Sequence, residues 1–326
     1  MSAHSGTKAV LAALLANLGI AVIKFIAFLI TGSSSMLAES VHSLADSGNQ
    51  GLLLLGGRRS RRRATAEHPF GYGRDRYVYG FLVALVLFTA GGLFALYEGI
   101  HKITNPHHID SPQIAIGVLV VAIILESLSF RTAIRESRAP KGDASWPEFI
   151  RRAKVPELPV VLLEDLAALV GLILALFGVG LSALLDEPIW DGIGTAAIGV
   201  LLIVVAIILI IETKSLVLGE AASPEAVSRI EKALVGEGIT GVIHHRTMHL
   251  GPDEVLVAAK VSMAPDSSLA DVAAAINAAE SRIRGAEPAA RVIYLEPDIY
   301  QPELREGDQP KLRKGNHPEL REGAAG

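Results

Sequence analysis

Ser35-Met-Leu-Ala-Glu39-Ser-Val-His42-Ser-Leu-Ala-Asp46-Ser-Gly-Asn49-Gln50 lies inside a stretch that otherwise reads as a membrane span. Ionisable side chains at bilayer depth cost about 2.5–3.5 kcal/mol each to insert, so they are rare and usually functional. His42 and Asp46 are four residues apart and share one helix face. Imidazole and carboxylate on one face inside a membrane form the donor set that a divalent cation takes. Glu39, three residues before His42, is either a vestibule carboxylate for that pair or a structural group. Asn49, three residues beyond Asp46, is either a neutral oxygen ligand or a helix-packing hydrogen bond.

Hydrophobic residues make up 50% of the 326-residue chain and the mean hydropathy is +0.41, high for a soluble protein. Six segments are long and apolar enough to span a bilayer: 8–30, 35–56, 78–100, 112–134, 158–182 and 190–212. The first starts near Thr7 and is expected to be a span, not a signal peptide, because no small-residue cleavage site follows a short core. Arg58, Arg59, Arg61, Arg62, Arg63, Arg74 and Arg76 join spans two and three, and a second basic run, Arg131 to Lys154, joins four and five. The opposite-side connections, which include Lys102 and Asp186-Glu187, are nearly bare. That asymmetry puts both termini in the cytoplasm of a multi-pass protein of the inner or plasma membrane. The absence of cysteine removes disulfides and thiolate ligands. A net charge of -4 argues against nucleic acid as a partner.

The expected layout is a six-span helical membrane domain over 1–212, a cytosolic α+β domain over 213–300 and a disordered tail over 301–326. In the α+β domain the patterns predict a helix at 224–235, strands at 242–250 and 255–263, a helix at 269–284 and a strand at 291–295. This α-β-β-α-β order gives a small sheet with helices on one face. The tail is polar and repeats Pro-Glu-Leu-Arg-Glu-Gly at 302–307 and 318–323. Between spans four and five, Ser145-Trp-Pro-Glu-Phe149 is either an interfacial helix with Trp146 and Phe149 among the headgroups or an ordinary loop.

His42 and Asp46 need partners from another helix. Span five supplies Glu164 and Asp165, which point about 100° apart, so one of them is expected to face the site. Span four adds Glu126 beside Ser127 and Ser129, as a ligand, a proton relay or a hydrogen bond to a neighbouring helix. On span one, Lys24 either pairs with a buried carboxylate or snorkels to the headgroups. Such donors bind either a metal or protons, and binding the metal displaces the protons. An imidazole, with a reference pKa of roughly 6.5, titrates near neutral pH. Metal–proton exchange through His42, Asp46 and the span-five carboxylate that faces them then needs no further machinery. No Walker loop supports ATP-driven pumping, and no His-Glu-x-x-His supports a membrane hydrolase, so no enzyme activity and no resident cofactor are expected.

With these residues in hand, the chain resembles the cation diffusion facilitator family of zinc and related metal transporters over about residues 8–300. Ser33-Ser-Ser-Met-Leu-Ala-Glu-Ser-Val-His-Ser-Leu-Ala-Asp46 is similar to its second-span signature, and His68-Pro-Phe-Gly-Tyr-Gly-Arg74 to its loop motif before span three. The Glu164-Asp165 pair resembles the subgroup with mitochondrial zinc transporter-like members. The resemblance implies a homodimer, a transport site between spans two and five, and a metallochaperone-like (ferredoxin-like) cytosolic domain. It implies export of a divalent cation, zinc first and iron, manganese, cobalt or cadmium next, against protons. The family site takes two side chains from each of the two spans; the resemblance implies that His42 and Asp46 fill the span-two pair and Asp165 the second span-five position, so that His42, Asp46 and Asp165 also couple the protons, while Val161 stands where the first span-five ligand would be. Three protein ligands with water, or completion by Glu164, Glu126 or Asn49, are the remaining arrangements. Secondary metal positions fall on His68, His245 and His249, and a dimer interlock on Arg74 with Glu220. The competing reading is a non-transporting metal-binding or regulatory membrane partner.

Overall fold

The structure, a computed structural model, describes residues 3–299; the expected tail lies outside the described residues. Six long helices stand where the six spans were expected: α1 Ala3–Thr31, α2 Ser34–Arg59, a third over Asp75–Thr104, α5 Pro112–Lys141, α7 Glu157–Leu185 and α8 Ile189–Leu218. The third is interrupted. α3 (Asp75–Val86) passes through a π-helical stretch, Leu87–Leu93, into α4 (Phe94–Thr104). The last four of the six combine the length and hydropathy needed to cross a membrane. α2 is 26 residues long but too polar to qualify by composition, which is the property that singled it out in the sequence.

The chain forms two compact units, one holding residues up to Ala222 with Met248–Val255, the other holding Ser223–Thr247 and the chain from Leu256 onward. In the first, Leu119, Leu172, Ile198, Leu202 and Leu209 are fully or almost fully buried at the centre of the bundle. Val121, Ile124, Leu125 and Leu128 on α5 are exposed, as a lipid-facing stripe requires. Gly32, at φ +64°, ends α1 in a left-handed turn, and α2 begins two residues later with Ser33 as its N-cap.

The third span packs on α8 through glycines. Gly92 and Gly99 are seven residues apart, as are Gly192 and Gly199. A Cβ at Gly99 would stand 2.3 Å from the Ala196 amide nitrogen, and one at Gly199 would stand 2.4 Å from that of Leu96. Backbones this close tolerate no side chain. Gly99→Val is therefore expected to destabilise the bundle by about 3 kcal/mol, the upper end of overpacking penalties, read as a lower thermal unfolding midpoint in detergent.

The stretch after α5 is helical: α6 spans Trp146–Arg152, with the Ser145 side chain accepting from the Glu148 amide. Phe149 is packed into the protein. Helical spacing turns it inward, where it is buried against Ala133 and Leu162.

From Pro224 the chain follows the expected order: α9 (Pro224–Leu234), β1 (Gly241–Gly251), β2 (Glu254–Ser262), α10 (Leu269–Ala286) and β3 (Ala290–Asp298), with sheet order β1-β2-β3. Thr240 before β1 donates to Ser262 at the end of β2, so these strands are antiparallel. Met263 donates to Asp298, end beside end, so β2 and β3 run parallel across the α10 crossover. Alternate residues Val255, Val257, Ala259 and Val261 are buried on one face, and Ile230, Leu234, Ala279 and Ile283 of the helices complete the buried set. Lys260 bridges to Asp298 at 2.8 Å and Glu296 at 3.2 Å; its hydrogen bond holds the Asp298 carboxyl below its ordinary range.

Candidate metal centre

α2 carries a polar seam. Ser35, Glu39, His42, Asp46 and Asn49 are spaced four, three, four and three residues apart, so they fall in one line along the helix. Ser35, Glu39, His42 and Asn49 are buried, and the Asp46 side chain is 19% exposed. His42 Nε2 stands 3.6 Å from Asp46 Oδ2, too far for a hydrogen bond. Both ring nitrogens of His42 and Oδ1 of Asp46 are buried without a hydrogen-bond partner among the described residues. Unpaired buried polar atoms cost about 1–3 kcal/mol each, so a cluster of them marks a place built for something else.

Asp46, Glu126, Val161, Glu164 and Asp165 line one cavity of about 40 Å³. That space suffices for an ion or a water or two. Glu164 and Asp165 both reach it, although only one was expected to. They are tied to opposite neighbours. Asn49 Nδ2 of α2 donates to Glu164 Oε1 at 2.6 Å, and Ser129 Oγ of α5 donates to Asp165 Oδ2 at 3.0 Å. Asn49 thus holds a carboxylate through its amide nitrogen, while its Oδ1 has no partner among the described residues. Val161, one turn before Asp165, contributes only an apolar wall. Among the described residues, no three His, Asp or Glu side chains stand at ligating distance from a common point.

Nearer the α2 N-terminus lies a cluster that sequence reasoning missed. Asp191, on the first turn of α8, accepts from Ser33 Oγ at 2.9 Å and from the Ser34 and Ser35 amides at 2.8 and 3.2 Å. It caps α2 from another helix. The Lys102 ammonium lies 4.0 Å from Asp191 Oδ2 and donates to the Gly32 carbonyl. Both residues are fully buried. Lys102 is therefore no loop charge, as its place near the end of span three suggested. The available signal was a pair of opposite charges at the ends of two adjacent-side spans.

Lys24 takes the first of its two alternatives and pairs with a buried carboxylate, Glu39, at 2.9 Å. His68 is exposed and stacks on Tyr72 with ring centroids 4.6 Å apart. His245 faces Glu231 of α9 at 3.5 Å, and His249 is buried with Nδ1 3.2 Å from the Gly251 carbonyl oxygen. Arg74 occupies the N-cap position of α3, while Glu220 pairs with Lys154 within the chain.

Comparisons with known proteins bear on the membrane part of the chain and on its relatives. The family model described as the cation efflux transmembrane domain matches residues 10–218. The mitochondrial proton-coupled zinc antiporter SLC30A9 of Homo sapiens is 32% identical over 241 residues, 73% of this chain and 42% of that protein. Metal tolerance protein C4 of Arabidopsis thaliana is 29% identical over 239 residues, 73% of this chain and 52% of its own length. The magnetosome protein MamB of Paramagnetospirillum magneticum is 28% identical over 194 residues, covering 57% of this chain and 64% of that protein. The chain thus spans about half the length of the first two relatives. With a family model covering more than half of its residues and a relative above 30% identity, this multi-pass membrane chain belongs to the cation diffusion facilitator family.

Proposed function

We propose that the chain exchanges a divalent metal cation, zinc first, for protons, moving the metal out of the cytoplasm with both termini on the cytoplasmic side. The observation that carries this is the unpartnered His42 and Asp46 atoms beside a cavity that Glu126, Glu164 and Asp165 also reach. In this reading Asp46, His42 and Asp165 are the ligands, and Glu164 or Glu126 supplies a further oxygen. Side-chain rotation closes the carboxylates on the ion, releasing Glu164 from Asn49 or Asp165 from Ser129. A mixed nitrogen–oxygen set suits zinc, while its carboxylate excess leaves iron and manganese as the next candidates. Because the same atoms bind either metal or protons, loading one unloads the other. The relatives named as zinc antiporters support this assignment. So does the membrane-domain family match. A homodimer is part of the proposal, as are the Arg74–Glu220 interlock between subunits and secondary metal positions at His68, His245 and His249.

Val161 favours a second reading, a metal-binding partner that does not transport. The two readings separate in proteoliposomes loaded with a metal-sensitive dye and challenged with zinc, iron(II), manganese or cobalt. Uptake that Asp165→Ala abolishes supports transport; no uptake of any metal by folded protein supports the partner reading. Val161→His adds a nitrogen donor one turn from Asp165. It is expected to tighten zinc binding by about 10-fold or more and to shift preference from manganese toward zinc, read by equilibrium dialysis of both ions.

A further inference from the structure

The polar seam does not stop at His42. Glu39 lies one turn nearer the α2 N-terminus on the same face, with no exposed surface. Its two carboxylate oxygens differ. Oε2 accepts from the Lys24 ammonium at 2.9 Å, whereas Oε1 is buried without a hydrogen-bond partner among the described residues. Oε1 points at α7: a Cβ at Gly171 would stand 2.9 Å from it, so a glycine there keeps the space that the carboxylate uses. The Lys24 ammonium also donates to Ser43 Oγ at 2.8 Å, and Ser43 lines the cavity that holds Asp46. Glu39 Oε1 and both His42 ring nitrogens are thus unpartnered buried atoms on residues one turn apart, with a fixed cation beside Glu39.

A buried carboxylate needs a neutralising charge, and a buried ammonium needs an anion. Each supplies the other here. A dication at His42 brings two positive charges next to the ammonium, and repulsion between like charges grows steeply where the dielectric is low. The ammonium and the metal therefore compete for Glu39.

We propose that Glu39 is a second cation station on the transport track, one turn beyond the His42–Asp46 pair, and that Lys24 is its built-in competitor. A metal moving past His42 displaces the Lys24 ammonium from Glu39. The ammonium then returns to the carboxylate and drives the metal onward. Lys24 keeps the second station weak, so that it passes the ion along instead of retaining it. The proposal rests on the transport reading above and adds a determinant of release to it.

The test counts zinc ions bound per chain by equilibrium dialysis of the purified full-length protein in detergent. Lys24→Met is expected to bind one more ion than the unaltered chain and to slow zinc flux in proteoliposomes by 10-fold or more. Lys24→Met with Glu39→Gln removes both charges together, a change that buried pairs usually tolerate, and is expected to return the count to that of the unaltered chain. Should the methionine variant fail to fold, Lys24→Ser, which leaves room for water beside Glu39, is read in the same way. An unchanged count in the folded lysine variant overturns the proposal. An extra ion that persists in the double variant also overturns it, because that ion is not at Glu39. The count in the unaltered chain and in Asp46→Ala reads the first site separately, so a failure of the transport site is distinguishable from a failure of the second station.

Discussion

Asp46→Ala is expected to lower metal flux by more than about 100-fold while leaving a folded protein of nearly unchanged stability. Removing groups that merely orient a ligand costs about 10–100-fold in affinity or activity, so removing a ligand itself should meet or exceed the top of that range. The structural cost is small because Asp46 holds little in place. Its Oδ1 has no hydrogen-bond partner among the described residues, and Oδ2 stands 3.6 Å from His42. Asp46→Asn is informative beside it. The amide keeps an oxygen of the same reach but carries no charge and takes up no proton in this pH range. It should therefore retain part of the metal binding while losing the exchange for protons. Flux measured by metal dye, with thermal unfolding of the same preparations, checks both halves of the expectation. Loss of flux accompanied by collapse of the unfolding midpoint would make Asp46 a structural residue.

Asp191→Ala is expected to do the reverse, with the largest effect on stability. The substitution removes three accepted hydrogen bonds from the start of α2 and leaves the fully buried Lys102 ammonium without its carboxylate. Breaking a buried pair from one side costs about 3–5 kcal/mol, and the loss of a helix cap typically adds about 1 kcal/mol. Asp191→Asn keeps an acceptor for the α2 amides and should recover part of the loss. Lys102→Met combined with Asp191→Asn, which removes both charges, should recover more. The ranking is read from unfolding midpoints and folded yield in detergent. Asp191→Ala at the stability of the unaltered chain would show that α2 is held in place by other means.

The layout of the membrane helices was legible because hydropathy and chain reversal are local properties. Gly32 and Ser33 between two apolar runs already spell a turn, and the structure ends α1 and starts α2 there. The seam on α2 was legible for the same reason, since 3.5-residue spacing within one helix is visible in one dimension. What joins helices was not. Asn49 and Glu164 were each visible as polar residues, but their hydrogen bond links positions 115 residues apart. Lys102 looked like a charge flanking a span, and only the approach of Asp191 across the bundle turns it into half of a buried clamp. Phe149 shows the limit of reading a short helix by composition. Trp, Phe, Arg and Lys together suggest a headgroup position, but the helix phase turns the phenyl ring toward Ala133 and Leu162.

Val161 is the place where the family resemblance and the residues part. The structure puts it on the cavity wall, at the position one turn before Asp165, so the departure is real in space as well as in sequence. The carboxylates of Glu126 and Glu164 line the same cavity, and the proposed transport site draws on them in place of a ligand there.

The central claim, that one set of side chains carries metal in one direction and protons in the other, is tested most directly by imposing a proton gradient across proteoliposomes that hold the full chain, zinc at equal concentration on both sides, a zinc dye and a pH dye. The account predicts that the gradient alone drives zinc uphill while protons move the opposite way, and that Asp46→Ala and Asp165→Ala abolish both signals together. Zinc that stays at equal concentration while the protein is folded, or that moves without any opposing proton signal, would contradict it.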